Sequence, residues 1–334
     1  MSIIYYILGF GLTLLVTVDL IWTTLWIDGG AGPLSDNLTS LLWKILRKLN
    51  NKFLLNISGP LILIAILLSW FLIVWLGVTL IFAANPESIV NPSTGDPVSW
   101  IERIYFSGFT IFTLGIGDYT PQSGFFQLVT AFSSGLGMMV LTLSVSYVIS
   151  VVDAVVQKRS FSRSISGLGR NSIELINKVW NGQDFHQFDL ILSTVNTQIT
   201  ELTQQNQAFP LLQYYHSESV EKTLAVNIIV LDEALSLLRY GVKQDDPIMH
   251  TALIEATQSS IQTYLDTVIE GYGNEAKKIE DVPPVMNLSL IKDSELPLTV
   301  ESDYYKKMED LSDRRNKLLS IARVDNHEWP NPES

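Results

Sequence analysis

The sequence predicts an all-α membrane protein that carries a separate helical domain on its C-terminal side. Three observations carry that class. Apolar runs at 3–27, 57–84 and 125–152 are each long enough to cross a hydrocarbon core of about 30 Å, which takes about 20 helical residues. A glycine-bearing string, Thr113-Leu114-Gly115-Ile116-Gly117-Asp118, lies between the second run and the third. Residues 171–334 read instead as polar protein with apolar positions at helical spacing, and they hold 26 Asp+Glu against 13 Lys+Arg. Their net charge of −13, within a total of −12, leaves +1 for the remainder and argues against nucleic-acid binding. The chain has no cysteine, so disulfides and thiolate metal sites are excluded.

The first run, within a transmembrane segment placed at 1–27, is too long for a signal peptide and lacks its basic start. Asp19 lies inside it. A carboxylate there costs a few kcal/mol unless paired or wet. Two readings are open: a charge partnered by another helix or by water, or an interfacial residue beside the Trp22 and Trp26 belt. Residues 28–56 form a connector that opens on a glycine turn, with Ser35 or Asp36 as a helix cap. Leu38, Leu42, Ile45 and Leu49 then step at helical spacing among Lys44, Arg47, Lys48 and Lys52. That pattern predicts a basic amphipathic helix on the membrane surface, with a solvated linker helix as the alternative.

The second span, 57–84, has no charged side chain, and Pro60 falls in its first turn. Residues 85–99 predict an exposed loop and 100–112 a short aromatic helix. The string 113–118 follows. A dehydrated cation needs a cage of oxygens in place of its water shell, and backbone carbonyls supply one. Aiming successive carbonyls at one axis takes the backbone out of helix and strand geometry, which Gly115 and Gly117 permit. Thr113 adds a hydroxyl, Leu114 and Ile116 point away from the axis, and Asp118 stands at the outer mouth. A helix ending at the string turns its negative dipole end toward the ion.

Together, Tyr105-Phe106, Thr110, the string Thr113 to Asp118 and Pro121 resemble the pore loop of the tetrameric potassium-channel family, whose filter usually reads T-V-G-Y-G-D. The resemblance covers roughly residues 57–153. It implies a potassium-channel-like pore domain of outer helix 57–84, pore helix 100–112, filter 113–118 and inner helix 125–153, preceded by one extra N-terminal transmembrane helix. It further implies a homotetramer whose permeant K+ ions meet oxygens of Thr113, Leu114, Gly115 and Ile116, with no other cofactor. Leu114 stands where the family has Val, and Ile116 where it has an aromatic, so weaker selectivity among monovalent cations is the alternative to potassium selectivity. The resemblance also marks Gly137 as a gating hinge, against close helix packing. Asp153 at the inner mouth is either a ring of four carboxylates or an interfacial charge.

The third span is rich in hydroxyls (Ser133, Ser134, Thr142, Ser144, Ser146), which suits a cavity lining. Residues 28–56 and 154–170 each hold four Lys+Arg, whereas 85–124 holds Arg103 as its one basic residue. The positive-inside rule then places the basic linker 154–170 and the domain 171–334 in the cytoplasm, the filter outside and the N-terminus outside a multi-pass cell-membrane protein. In the back half Phe188, Leu192, Val195, Ile199 and Leu202 make one stripe, and Leu224, Ile228, Leu231, Leu235 and Leu238 another. Ile254, Ile261, Leu265 and Val268 make a third, and Tyr304, Met308, Leu311 and Leu318 a fourth, so a cytoplasmic helical bundle is expected rather than an extended coiled coil. Asp245-Asp246-Pro247 and Gly271-Tyr272-Gly273 mark breaks, and 279–299 reads as an extended linker.

No dinucleotide-binding glycine pattern, arginine-bearing voltage-sensor span, calcium loop or zinc spacing occurs, and the histidines (His186, His216, His250, His327) are scattered. No nucleophile–base set suggests an enzyme. Membrane lipids and an unidentified ligand of the cytoplasmic domain complete the expected partners. A membrane-anchored signalling or scaffold protein with a vestigial pore loop is the rival class.

Overall fold

The computed structural model describes residues 2–49, 51–122, 124–243, 251–272, 281, 283–294 and 296–331. His250, the break at Asp245-Asp246-Pro247 and Gly273 lie outside them. The chain divides into two units, Met1–Val152 and Asp153–Ser334.

In the first unit, α1 (Ser2–Leu25), α4 (Ser58–Ala83) and α6 (Gly124–Leu168) are long and apolar enough to cross a membrane. Helices α1 and α4 pack along much of their length. Gly9 and Gly77 set how close they come, since a Cβ on Gly9 would lie 2.7 Å from the Gly77 carbonyl oxygen. The other side of α1, including Ile3, Ile7, Leu14 and Val18, is exposed. Between these spans lie α2 (Pro33–Leu49) and the short α3 (Lys52–Asn56), the latter capped by the Asn51 side chain.

Helix α2 buries Ser35, Thr39 and Trp43; of the apolar stripe Leu38 and Leu42 are half-buried, and Ile45 and Leu49 are exposed. The reason is Asp19. Its carboxylate is fully buried and accepts from Leu34 N (2.7 Å), Ser35 N (3.2 Å) and Ser35 Oγ (2.5 Å). It also accepts from the Trp70 indole (2.9 Å). The carboxylate is thus partnered by the N-terminal end of α2 and by a donor on α4, as the reading of a charge partnered by another helix requires.

The loop expected at 85–99 contains β1 (Ile89–Val90), which pairs antiparallel with β2 (Thr120–Pro121) in register Ile89 with Pro121. Helix α5 (Trp100–Ile111) lies between them in sequence and packs on α4.

The segment 154–168, expected as part of a linker, continues α6 without a break. From Asp153 onward the helix belongs to the second unit, where Phe161 and Ile165 enter the core. That unit adds α7 (Ser172–Val179), α8 (His186–Ala208), α9 (Leu224–Tyr240), α10 (Thr251–Tyr272), α11 (Glu301–Asp310) and α12 (Ser312–Val324). Helix α9 is its centre: Leu224 to Leu238 are all buried, and α7, α10, α11 and α12 pack around it. A helix buried on every side needs such a cover, and its buried carboxylates need partners. The stripes of α8, α10 and α11 face this core, and Leu311 alone among the predicted positions is half-buried. Residues 283–294 are not an extended linker, since Met286, Leu288 and Ile291 are buried in the core and Leu288–Ser294 forms a 3-10 turn.

Two acid–base pairs fasten α9 to α12: Arg314 to Asp232 and, with Nε to Oε1 at 2.8 Å, Arg315 to Glu233. Arg315 also donates to the carbonyls of Pro283 and Pro284 and lies over the Trp329 ring.

Candidate ion-conduction site

Helix α5 starts on a capping box. Ser99 Oγ accepts from Glu102 N and the Glu102 carboxylate accepts from Ser99 N at 2.6 Å, so two orphan donors are satisfied. Arg103 is buried and donates to the carbonyls of Pro86 and Val98, which ties the preceding loop to the helix. On its other side, the Trp75 indole donates to the Ile104 carbonyl at 2.9 Å.

At its C-terminal end the chain turns out of the helix with Phe112 N, Thr113 N and Leu114 N donating to carbonyls of Gly108, Thr110 and Phe109. Beyond that turn φ is +56° at Thr113, +57° at Gly115 and +84° at Gly117, while Leu114 and Ile116 keep negative φ. The sign of φ therefore alternates along 113–117, a backbone that is neither helix nor strand. Thr113 is not a glycine, and holding it at positive φ costs on the order of 1–3 kcal/mol, a strain that collects at functional sites. Phe112 to Asp118 are exposed in the single chain, including Leu114 at 64% and Ile116 at 47%.

Two hydroxyls hold the string from behind. Tyr105 Oη donates to Asp118 Oδ2 at 3.2 Å, and Tyr119 Oη donates to Glu102 Oε1 at 2.9 Å. The two tyrosine rings meet edge to face at 6.2 Å. Asp118 therefore faces back toward α5 in this conformation. Just past it, the pairing of β1 with β2 and the bond from Gln122 N to Ser88 O fix the outer end.

Beneath the string a cleft of ≈ 430 Å³ is lined by Thr110, Thr113, Gly115, Gln127, Thr130 and Ser134 among others. The α6 face bearing Gln127, Ala131 and Ser134 continues at helical spacing through Met138, Leu141, Val145, Ile149 and Val152, all exposed. This lower face is apolar. Of the predicted hydroxyls, Ser133 and Ser144 are buried in the unit, and Thr142 and Ser146 bond back to their own helix.

Gly137 packs against the end of α5, where any Cβ would overlap the Ile111 carbonyl, whereas Gly135 faces open space. Asp153 is exposed on α6, at the start of the second unit. Sequence reasoning missed the tyrosine tethers, for which the Ser99-x-x-Glu102 pattern was the available local sign. It also missed that His216 and His327 are not scattered: His216 pairs with Asp325 at 2.8 Å, and His327 bonds Thr223 and the Ser217 carbonyl.

A short helix followed by a string whose φ alternates in sign, set between two long apolar helices, fits a potassium-channel-like pore domain. Residues 62–154 match the ion channel family, and this segment of the chain belongs to it. Over nearly its whole length the chain is also similar to the uncharacterized membrane protein YdjJ of Bacillus subtilis (strain 168), with 38% identity over 329 residues, 98% of this chain and 95% of the relative. No solved structure matches it.

Proposed function

We propose that the protein is a homotetrameric, passive potassium channel of the cell membrane rather than an enzyme. The observation that carries this reading is the positive φ at Thr113, Gly115 and Gly117. A cage of backbone oxygens around a naked cation takes four copies of such a string around an axis. The exposure of Leu114 and Ile116 in one chain supports the same assembly, because neighbouring copies cover them. Potassium ions meet oxygens of Thr113, Leu114, Gly115 and Ile116 as they pass, and Asp118 enters at the outer mouth only when Tyr105 releases it.

A gate in the inner helices follows from α6. Its lower face narrows the tetramer axis with aliphatic side chains, and an apolar constriction stops ions by losing its water. Gly137 is the pivot: α6 touches the end of α5 there with no side chain between, so bending of α6 moves Ile111 and the first filter residue together. The second unit, which shares α6, biases that bend, and Asp153 rings the inner exit. The basic segments 28–56 and 154–170 favour a cytoplasmic position for this unit and an outside N-terminus.

Potassium efflux from reconstituted vesicles tests the reading. The wild type conducts and Gly115→Asp does not; equal flux in both overturns the filter assignment. A weakly selective monovalent-cation channel is favoured by Ile116, which lacks the hydroxyl of an aromatic filter residue. Reversal potentials in mixed potassium and sodium separate the two, and no shift on exchanging the ions rejects potassium selectivity.

A further inference from the structure

We infer that α2 and α3 form a docking surface for an anionic lipid leaflet. Helices α1 and α4 run antiparallel, as the pairs Gly9–Gly77 and Asp19–Trp70 require, so residues 26–57 lie at one membrane surface. There α2 turns three faces. Ser35, Thr39 and Trp43 are buried against the unit. Leu41, Ile45 and Leu49, one turn apart, are 56%, 48% and 60% exposed, and Phe53 of α3 continues them at 68%. Lys44 and Lys48 stand exposed along the border of that apolar face, and Asp36 is the acidic residue of α2.

Aliphatic side chains that reach past headgroups, with ammonium groups at headgroup level, match a leaflet bearing negative phosphates. Water is a poor occupant for four large apolar side chains in a row. Asp19 makes the surface rigid. Its four hydrogen bonds fix the first turn of α2 to α1 and, through Trp70, to α4, and the Trp70 ring lies edge-on to Tyr147 of α6 at 6.0 Å. The inference rests on the membrane location alone and not on ion selectivity.

The test uses the purified full-length chain in phosphatidylcholine vesicles that carry spin-labelled phosphatidylglycerol or, separately, spin-labelled phosphatidylcholine. The wild type prefers the anionic label. The preference falls by up to about fivefold per cation in Lys44→Gln and in Lys44→Gln/Lys48→Gln. It falls for the wild type as salt rises, and Lys306→Gln/Lys307→Gln in the second unit leaves it intact. An unchanged preference in the double variant, or a wild-type preference indifferent to salt, overturns the inference.

A second measurement places the apolar face. Because the chain has no cysteine, Ile45→Cys takes a single nitroxide. Dissolved oxygen should reach it more readily than a water-soluble nickel chelate. Easier access for nickel means that the face meets water, and shielding from both means that a second copy covers it. Either result contradicts leaflet docking.

Discussion

The hydroxyl of Tyr105 on α5 donates to the Asp118 carboxylate, thirteen residues further on and on the far side of the glycine string, at 3.2 Å. Under the proposed function, a filter without an aromatic hydroxyl at Ile116 would be tied to its supporting helix at this other level. Tyr105→Phe should keep the fold and conduct, but with potassium-over-sodium preference reduced a few-fold in reversal-potential measurements. Full selectivity in Tyr105→Phe would mean that the tether does not shape the filter.

Gly137 and Gly135 make a paired prediction on one helix. Gly137→Ala drives a methyl into the Ile111 carbonyl, and overpacking of this kind costs about 1–3 kcal/mol. Gly135→Ala meets nothing within 4 Å and gains about 1 kcal/mol of helix propensity. Thermal denaturation of the purified protein should rank Gly135→Ala at or above the wild type and Gly137→Ala below it.

Removing the Asp19 side chain strands the Trp70 indole, Leu34 N and the Ser35 donors inside the membrane unit. Asp19→Ala should lose about 2–4 kcal/mol, and Trp70→Phe, which deletes one donor, about 1–2 kcal/mol. Thermal unfolding in a constant detergent–lipid mixture reads both. Equal losses for the two would contradict the four-bond account.

In the second unit, Arg315→Met leaves the Glu233 carboxylate buried without its guanidinium, which costs about 3–5 kcal/mol. The double variant Glu233→Leu/Arg315→Met should recover much of that loss. Hydrogen exchange of α9 amides in the full-length protein measures the difference.

Asp325 gives the pH dependence. Burial pushes its carboxyl up, but the His216 hydrogen bond and the positive groups of His216, Lys158 and His327 outweigh that and hold it below its ordinary value of 3.8. A depressed carboxyl stabilises the unit at pH above the unfolded value and loses that contribution as pH falls through the folded one. Asp325→Asn should therefore weaken α12 amide protection near neutral pH, and its gap from the wild type should close below about pH 4.

The three long apolar helices and the non-helical glycine string between them were legible because hydropathy and glycine spacing are local signals. What escaped reading depended on distant partners. Asp19 and Trp70 are 51 residues apart, so nothing near Asp19 announces its donor. The leucines of α2 marked an amphipathic helix, but nothing near them announced that its Ser35 side would pack on Asp19 and leave Ile45 and Leu49 exposed. The cations at 158–163 resembled a linker, although Lys158 is buried and donates to the Leu212 carbonyl at 3.0 Å. Prolines at 283–284 suggested an extended chain, while Met286 and Leu288 beside them fill the core.

Imaging the purified particle in potassium chloride tests the central claim most directly. The account predicts four copies around one axis, with a row of ion density on that axis between Thr113 and Gly117. A monomer or dimer, or a four-fold particle whose axis is empty beside Gly115, would contradict it.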